Sequence, residues 1–344
     1  MSAAPLRVGV LGTGRIGRLH AELLHRRVEG ARVATVFDAH APSATAVAHD
    51  LGVPVAASAE DLIASEEVDA VAICTSTDTH VPLILAAAAA GKAIFCEKPV
   101  SLDLDAVDAA LDAVATASLT FQIGFNRRFD PSHAAVRTAV ADGTVGAPHL
   151  VRITSRDPEP PPAEYVRTSG GIFLDMTIHD FDMARFVTGS EVVAVSAHGA
   201  VRIREDFADA GDVDTAIVTL EHADGCLTAI DNSRQASYGY DQRVEVHGEC
   251  GMAASENPRA HTTVVSSAAG SATATLPYFF LDRYIPAYVA QWDAFVAACR
   301  AGEPGTPGVA DARAPLVIGL AALRSRVEGR RVEIAEIEAE VVAR

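Results

Sequence analysis

Six residues near the start of the chain, Gly12-Thr13-Gly14-Arg15-Ile16-Gly17, constrain its fold more than any other segment. They follow a short apolar run, Arg7 to Leu11, that reads as a buried strand, and they precede a helical pattern through Arg27. In that setting each glycine has a separate duty. Gly12 permits the tight turn, Gly14 lets the backbone approach a pyrophosphate, and Gly17 lets helix and strand pack closely. The helix start adds free N–H groups and a partial positive charge, so the segment reads as a dinucleotide site rather than as a simple turn.

The alternation continues. Arg32 to Phe37, Asp69 to Cys74, Ala93 to Cys96 and Thr120 to Gly124 read as strands, with Ser43 to Leu51, Thr79 to Ala90 and Leu104 to Thr116 as helices between them. Such βαβ repetition implies a parallel sheet covered on both faces, so the expected fold class is α/β, with a Rossmann dinucleotide-binding domain over residues 1–125. Asp38 ends the second strand about 20 residues beyond Gly17, where a carboxylate accepts hydrogen bonds from ribose hydroxyls and repels a 2′-phosphate. NAD is therefore expected over NADP, with Arg15 the one loop residue able to reach a 2′-phosphate.

A chain of 344 residues has room for a second domain. Over residues 126–344 the pattern changes to two helices, about Pro131 to Ala141 and Gly171 to Val187, and then to β-rich segments from Val192 to Val265. Alternation in Thr215 to Leu220 and Arg243 to His247 predicts a large, mostly antiparallel open sheet in an α+β domain. Pro158 to Pro162 and Gly302 to Gly308 read as loops. Ser266 to Thr275 reads as a weak edge strand or a mobile loop, and the apolar helix Val309 to Val327 is able to pack on either domain. An antiparallel sheet with one face lacking helices implies a homo-oligomer.

Charge narrows the partners. With 28 Lys and Arg against 45 Asp and Glu, the formal charge of −17 repels phosphate backbones and anionic membranes, so no nucleic-acid or membrane partner is expected. Five widely spaced cysteines with no CxxC pair fit a reducing cytoplasm and no structural zinc. The apolar stretch Val81 to Ala90 is far short of a bilayer span, and the residues before Arg7 leave no room for a secretory leader.

Two places carry candidate chemistry. Lys98, in Glu97-Lys98-Pro99 at the carboxyl end of a predicted strand, lies where open α/β folds bind ligands; it is either a solvated loop lysine or an ammonium that stabilises charge on a reacting oxygen. Asp175 and His179, four apart in a predicted helix, project from one face. They form an acid/base pair, a structural pair at a helix start, or two ligands of a metal; no further ligands at recognisable spacing accompany them, so no metal is expected.

Taken together, Gly12 to Gly17, Cys74 to His80, Glu97-Lys98-Pro99 and Asp175-x-x-x-His179 resemble the Gfo/Idh/MocA oxidoreductase family over nearly the whole chain. Gly170 to Asp182, Asn232 to Arg243 and Phe280 to Tyr288 are similar to the inositol 2-dehydrogenases within it. The resemblance implies a tetramer built through the C-terminal sheet and NAD-dependent oxidation of a cyclic polyol, foremost myo-inositol to scyllo-inosose. Another cyclitol or a pyranose such as scyllo-inositol, D-chiro-inositol or glucose, or a non-catalytic NAD sensor, are the alternatives. It further implies a catalytic trio of Lys98, Asp175 and His179, cofactor contacts from Gly12, Gly14, Arg15, Ile16, Gly17, Asp38, Thr75, Ser76, Thr77, His80 and Glu97, and a substrate contact from Arg127. Asp157 and Tyr238 are candidate polyol contacts or plain loop residues, and Tyr284 and Tyr288 are pocket hydroxyls or core.

Overall fold

Five parallel strands, β1 (Leu6–Leu11), β2 (Ala31–Phe37), β3 (Ala70–Ile73), β4 (Ala93–Cys96) and β5 (Phe121–Ile123), pair in the order β2-β1-β3-β4-β5. They are near-continuous apolar runs because both faces are covered: Val8, Val10, Ala70 to Ile73 and Ile94 to Cys96 are all fully buried. The order reverses beside β1, so the residues following β1 and β3 meet at the switch point where doubly wound sheets hold ligands. Helix α1 (Arg15–Arg26) starts there.

The computed structural model describes residues 4–342; Met1–Ala3, on which the expected lack of a leader partly rests, lie outside the described residues. The chain divides into two units. The first holds the residues up to Asn126 together with Pro286–Ala314, the second Arg127–Ile285 together with the residues from Pro315 on. What ties the later segment to the first unit is aromatic: Trp292 and Phe295, both fully buried, pack on Phe95 of β4 with ring centroids 4.4 and 6.1 Å away.

The second unit is built on β6 (Pro148–Arg156), β7 (Val192–Ala200), β8 (Thr215–His222), β9 (Leu227–Ser233), β10 (Asp241–Gly248) and β11 (Met252–Ser255). Next come β12 (Val264–Ser267) and β13 (Gly270–Thr273), a separate antiparallel hairpin occupying most of the Ser266 to Thr275 stretch. The short β14 (Val332–Glu333) completes the main sheet, ordered β11-β10-β6-β9-β8-β7-β14, in which only β6 and β9 pair in parallel. Val151, Ile153, Val218, Leu220, Ile230, Val244 and Val246 are buried, and the alternate positions Ile217, Leu227 and Met252 are exposed on the other face. No helix among the described residues is long and apolar enough to cross a membrane.

One expected element is different. The helix read over Gly171 to Val187 is two helices, Gly171–Asp175 and Ile178–Thr188. At the break the Thr177 amide bonds to the Ile172 carbonyl at 2.8 Å, one residue beyond α-helical register, and the Thr177 hydroxyl bonds to Asn232 Oδ1 at 2.7 Å. Asp175 therefore ends one helix while His179 opens the next, and their spacing contains a bulge rather than a regular turn.

Candidate active site

In the first unit the three glycines are distinguished by their surroundings. Gly12 sits at φ +87°, and a Cβ there would lie 2.6 Å from the Cys74 carbonyl oxygen; one on Gly17 would lie 2.0 Å from the Gly12 oxygen. A Cβ added at Gly14 would meet nothing within 4 Å among the described residues. Two glycines are thus required by close packing and the middle one by access, which fits a pyrophosphate laid on the loop. Helix α1 has no side-chain cap and no acidic residue in its first turn, so its N–H groups are left to such an anion. Arg15 is exposed and Ile16 half-buried on the core.

Asp38 does more than the spacing suggests. Its Oδ2 accepts from the Thr13 amide at 2.6 Å and the Thr13 hydroxyl at 3.0 Å, and its Oδ1 from the His40 amide at 2.8 Å. Partial burial pushes its carboxyl up, but these hydrogen bonds outweigh it and hold the group below the usual carboxylate range. The same anion thus shapes the glycine loop, half-buried just beyond the end of β2. Asp38→Ser is expected to lower kcat/KM for NAD and to narrow the preference over NADP, and Arg15→Ala to weaken use of NADP more than use of NAD; equal efficiency with both cofactors in the unmodified protein contradicts the assignment.

Thr75, Ser76 and Thr77 follow β3, with the Thr79 hydroxyl donating to Thr75 Oγ1 at 2.6 Å. His80 is a buried brace: Nδ1 lies 2.8 Å from the Pro99 oxygen and Nε2 3.1 Å from the Thr75 oxygen, and burial pushes its imidazole below the usual range. Lys98 is half-buried after β4, and the Glu97 carboxylate beside it lies against His20.

In the second unit Asp175 and Asp157 meet on one arginine. Arg234, 4% exposed, donates from Nη2 to Asp175 Oδ2 at 2.9 Å and from Nη1 to Asp157 Oδ2 at 3.4 Å. The other oxygen of Asp175 accepts from the Tyr165 hydroxyl at 2.8 Å. Burial, with Asp175 close by, pushes the Asp157 carboxyl up against the pull of Arg234. Arg234→Met leaves two facing carboxylates without their cation and is expected to cost about 3 kcal/mol, read by denaturant unfolding; a loss under about 1 kcal/mol shows the cluster does not depend on it.

Beneath lies a second network. Arg127, buried, donates to Asp180 Oδ1 at 2.7 Å and Ser155 Oγ at 3.1 Å, and Asn232 Nδ2 donates to Asp180 Oδ2 at 2.8 Å. Burial pushes Asp180 up to about 6 even with these donors in place. Arg127 is thereby a framework cation beneath the helix that carries half-buried His179. Tyr238 belongs elsewhere: its hydroxyl donates to Asp241 at 2.7 Å and accepts from Arg156 at 2.9 Å, and Arg156 holds Asp231 on the open face of the sheet. The structure does not bring it to Asp175. Tyr284 and Tyr288 are both buried in core, Tyr284 edge-on to Tyr240 and Tyr288 edge-on to His20.

Comparison with known proteins agrees with both halves. Residues 6–125 match the model of an oxidoreductase family with an NAD-binding Rossmann fold, and residues 133–254 that of the GFO/IDH/MocA C-terminal domain. The chain is 45% identical to myo-inositol 2-dehydrogenase of Thermotoga maritima and 46% identical to inositol 2-dehydrogenase of Rhizobium meliloti, in each case over 96% of this chain and 99% of the relative. A crystal structure of scyllo-inositol dehydrogenase from Lactobacillus casei with NAD(H) and scyllo-inositol bound superposes with a TM-score of 0.90 at 28% identity, covering 96% of this chain and 99% of that one. Glycine loop, sheet order and full-length similarity lead to one conclusion: the chain belongs to the Gfo/Idh/MocA family of NAD-dependent oxidoreductases.

Proposed function

We propose that this protein oxidises myo-inositol at C2 to scyllo-inosose, with NAD as the oxidant. The observation that carries the reading beyond the family is the Asp157–Arg234–Asp175 cluster in the unit that also holds His179. Carboxylates fixed by a shared cation accept hydrogen bonds from adjacent hydroxyls of a polyol and repel a phosphorylated sugar. Similarity to two inositol 2-dehydrogenases supports the ring.

Gly12, Gly14, Arg15, Ile16, Gly17, Asp38, Thr75, Ser76, Thr77 and Glu97, with His80 bracing the loops, would hold NAD, which would supply the hydride acceptor. The chain's own residues manage the proton and the oxygen. His179 takes the hydroxyl proton as the carbonyl forms, and Asp175 orients the imidazole and stabilises its charged form. Asp175 is the poorer base of the two, because both its oxygens already accept hydrogen bonds from Tyr165 and Arg234. The Lys98 ammonium hydrogen-bonds the reacting oxygen and stabilises the charge that develops on it. Arg127 supports the site through Asp180 rather than through the sugar.

The test is NAD reduction across myo-inositol, scyllo-inositol, D-chiro-inositol, glucose and xylose. Myo-inositol is expected to give the highest kcat/KM. A higher value with scyllo-inositol moves the preference to that ring, the second reading, which the similarity to the Lactobacillus casei enzyme supports; no reduction with any of the five contradicts the function.

Two further properties belong to this reading. The exposed Ile217, Leu227 and Met252 on the uncovered sheet face support a homotetramer, and light scattering is expected to give four times the chain mass of 35.9 kDa, whereas a monomer at micromolar concentration contradicts it. Five cysteines with no disulfide fit a cytoplasmic location.

A further inference from the structure

His20, on α1, is fully buried among aromatic rings, with centroids 5.1 Å from Phe95, 5.4 Å from Tyr288 and 5.6 Å from Trp292. Both its nitrogens are engaged. Trp292 Nε1 lies 2.9 Å from Nδ1, and Glu97 Oε1 lies 2.7 Å from Nε2. An indole N–H only donates, so Nδ1 is the acceptor and the ring proton sits on Nε2, which donates to the Glu97 carboxylate. Trp292 thus sets the tautomer, and the tautomer sets what Glu97 receives.

Glu97 in turn is tied to the loop that carries Lys98. Its Oε2 accepts from the Lys98 amide at 3.3 Å, and its carboxylate occupies the space over Gly124, where an added Cβ would lie 2.9 Å from the carboxyl carbon. On the far side of Lys98, the Pro99 carbonyl is held by buried His80 at 2.8 Å. A leucine or phenylalanine would fill the place of His20 without needing polar partners, whereas an imidazole here requires both of its hydrogen bonds.

We propose that His20 is a positioning residue of the oxidoreductase site: through the relay Trp292–His20–Glu97 it fixes the loop that presents Lys98. This rests on the reading of Lys98 as the group at the reacting oxygen.

The test uses His20→Leu, His20→Gln, Glu97→Ala and the double variant His20→Leu/Glu97→Ala, with Lys98→Ala in parallel. Trp292 is the only tryptophan in the chain, so its emission reports whether the core stays closed in each. His20→Leu and Glu97→Ala are each expected to lower kcat about 10- to 100-fold, with KM for the polyol changing much less. Glutamine carries an acceptor and a donor spaced like the two ring nitrogens, so His20→Gln retains kcat to within about 3-fold, and the double variant loses no more than the worse single one. Full kcat in a folded His20→Leu, a glutamine no better than leucine, or losses that multiply in the double variant each overturn the proposal. If His20→Leu does not fold, His20→Phe takes its place, and unchanged turnover there overturns the proposal. Full turnover in Lys98→Ala defeats the reading of Lys98 itself, whereas loss there beside full activity in His20→Leu and Glu97→Ala defeats only the relay.

Discussion

His179→Ala lowers turnover with the best polyol about 10²- to 10⁴-fold and leaves the affinity for NAD nearly unchanged. In the proposed reading the imidazole serves the chemical step, whereas the glycine loop and Asp38 of the other unit would hold the dinucleotide. With His179 as the base, activity of the unmodified enzyme is expected to rise with pH, since only a neutral ring accepts the hydroxyl proton. Turnover near the normal value in a folded His179→Ala contradicts the assignment and makes Lys98, in its neutral form, the favoured base. Asp175 is less suited, being held by Tyr165 and Arg234.

Lys98→Ala produces a loss of the same order for a different reason. A positive charge at the reacting oxygen stabilises the transition state more than the bound alcohol, so kcat falls by about 10²- to 10³-fold while KM for the polyol moves little. Lys98→Arg keeps the charge but changes its shape and reach, and is expected to recover only part of the rate. A change confined to KM, with kcat preserved, would make Lys98 a uniform binding contact and remove it from the chemistry.

The first unit was legible in its own alphabet. Strand β4 and the helix Leu104–Thr116 have the ends that hydrophobic periodicity predicts, because fully buried parallel strands and amphipathic helices write their burial directly into the chain. Local rules failed where side chains from distant strands intervene. The expected helix over Gly171 to Val187 breaks because Thr177 bonds across to Asn232, a residue 55 positions away, and nothing in the helical pattern announces that partner. Arg234 and Tyr165 carry no signal for the same reason: in the sequence they are an arginine after a strand and a tyrosine after a proline run, and only the fold brings both to Asp175. The carboxylate of Asp180, next to His179, is visible in the sequence, but its pairing with Arg127 is not, since Arg127 lies 53 positions away with no periodic signal to link them. Tyr238, a candidate polyol contact in the sequence, shows how little proximity along a strand end decides. It is four residues from Arg234, yet its hydroxyl serves the opposite face of the sheet.

The most direct measurement follows the hydrogen itself. Myo-inositol deuterated at C2 is incubated with the protein and unlabelled NAD, and the reduced cofactor is examined by proton NMR. Oxidation at C2 by hydride transfer places the deuterium at C4 of the nicotinamide, with scyllo-inosose as the co-product. Reduced cofactor without the label means that another carbon is oxidised, and no reduced cofactor at all contradicts the proposed activity.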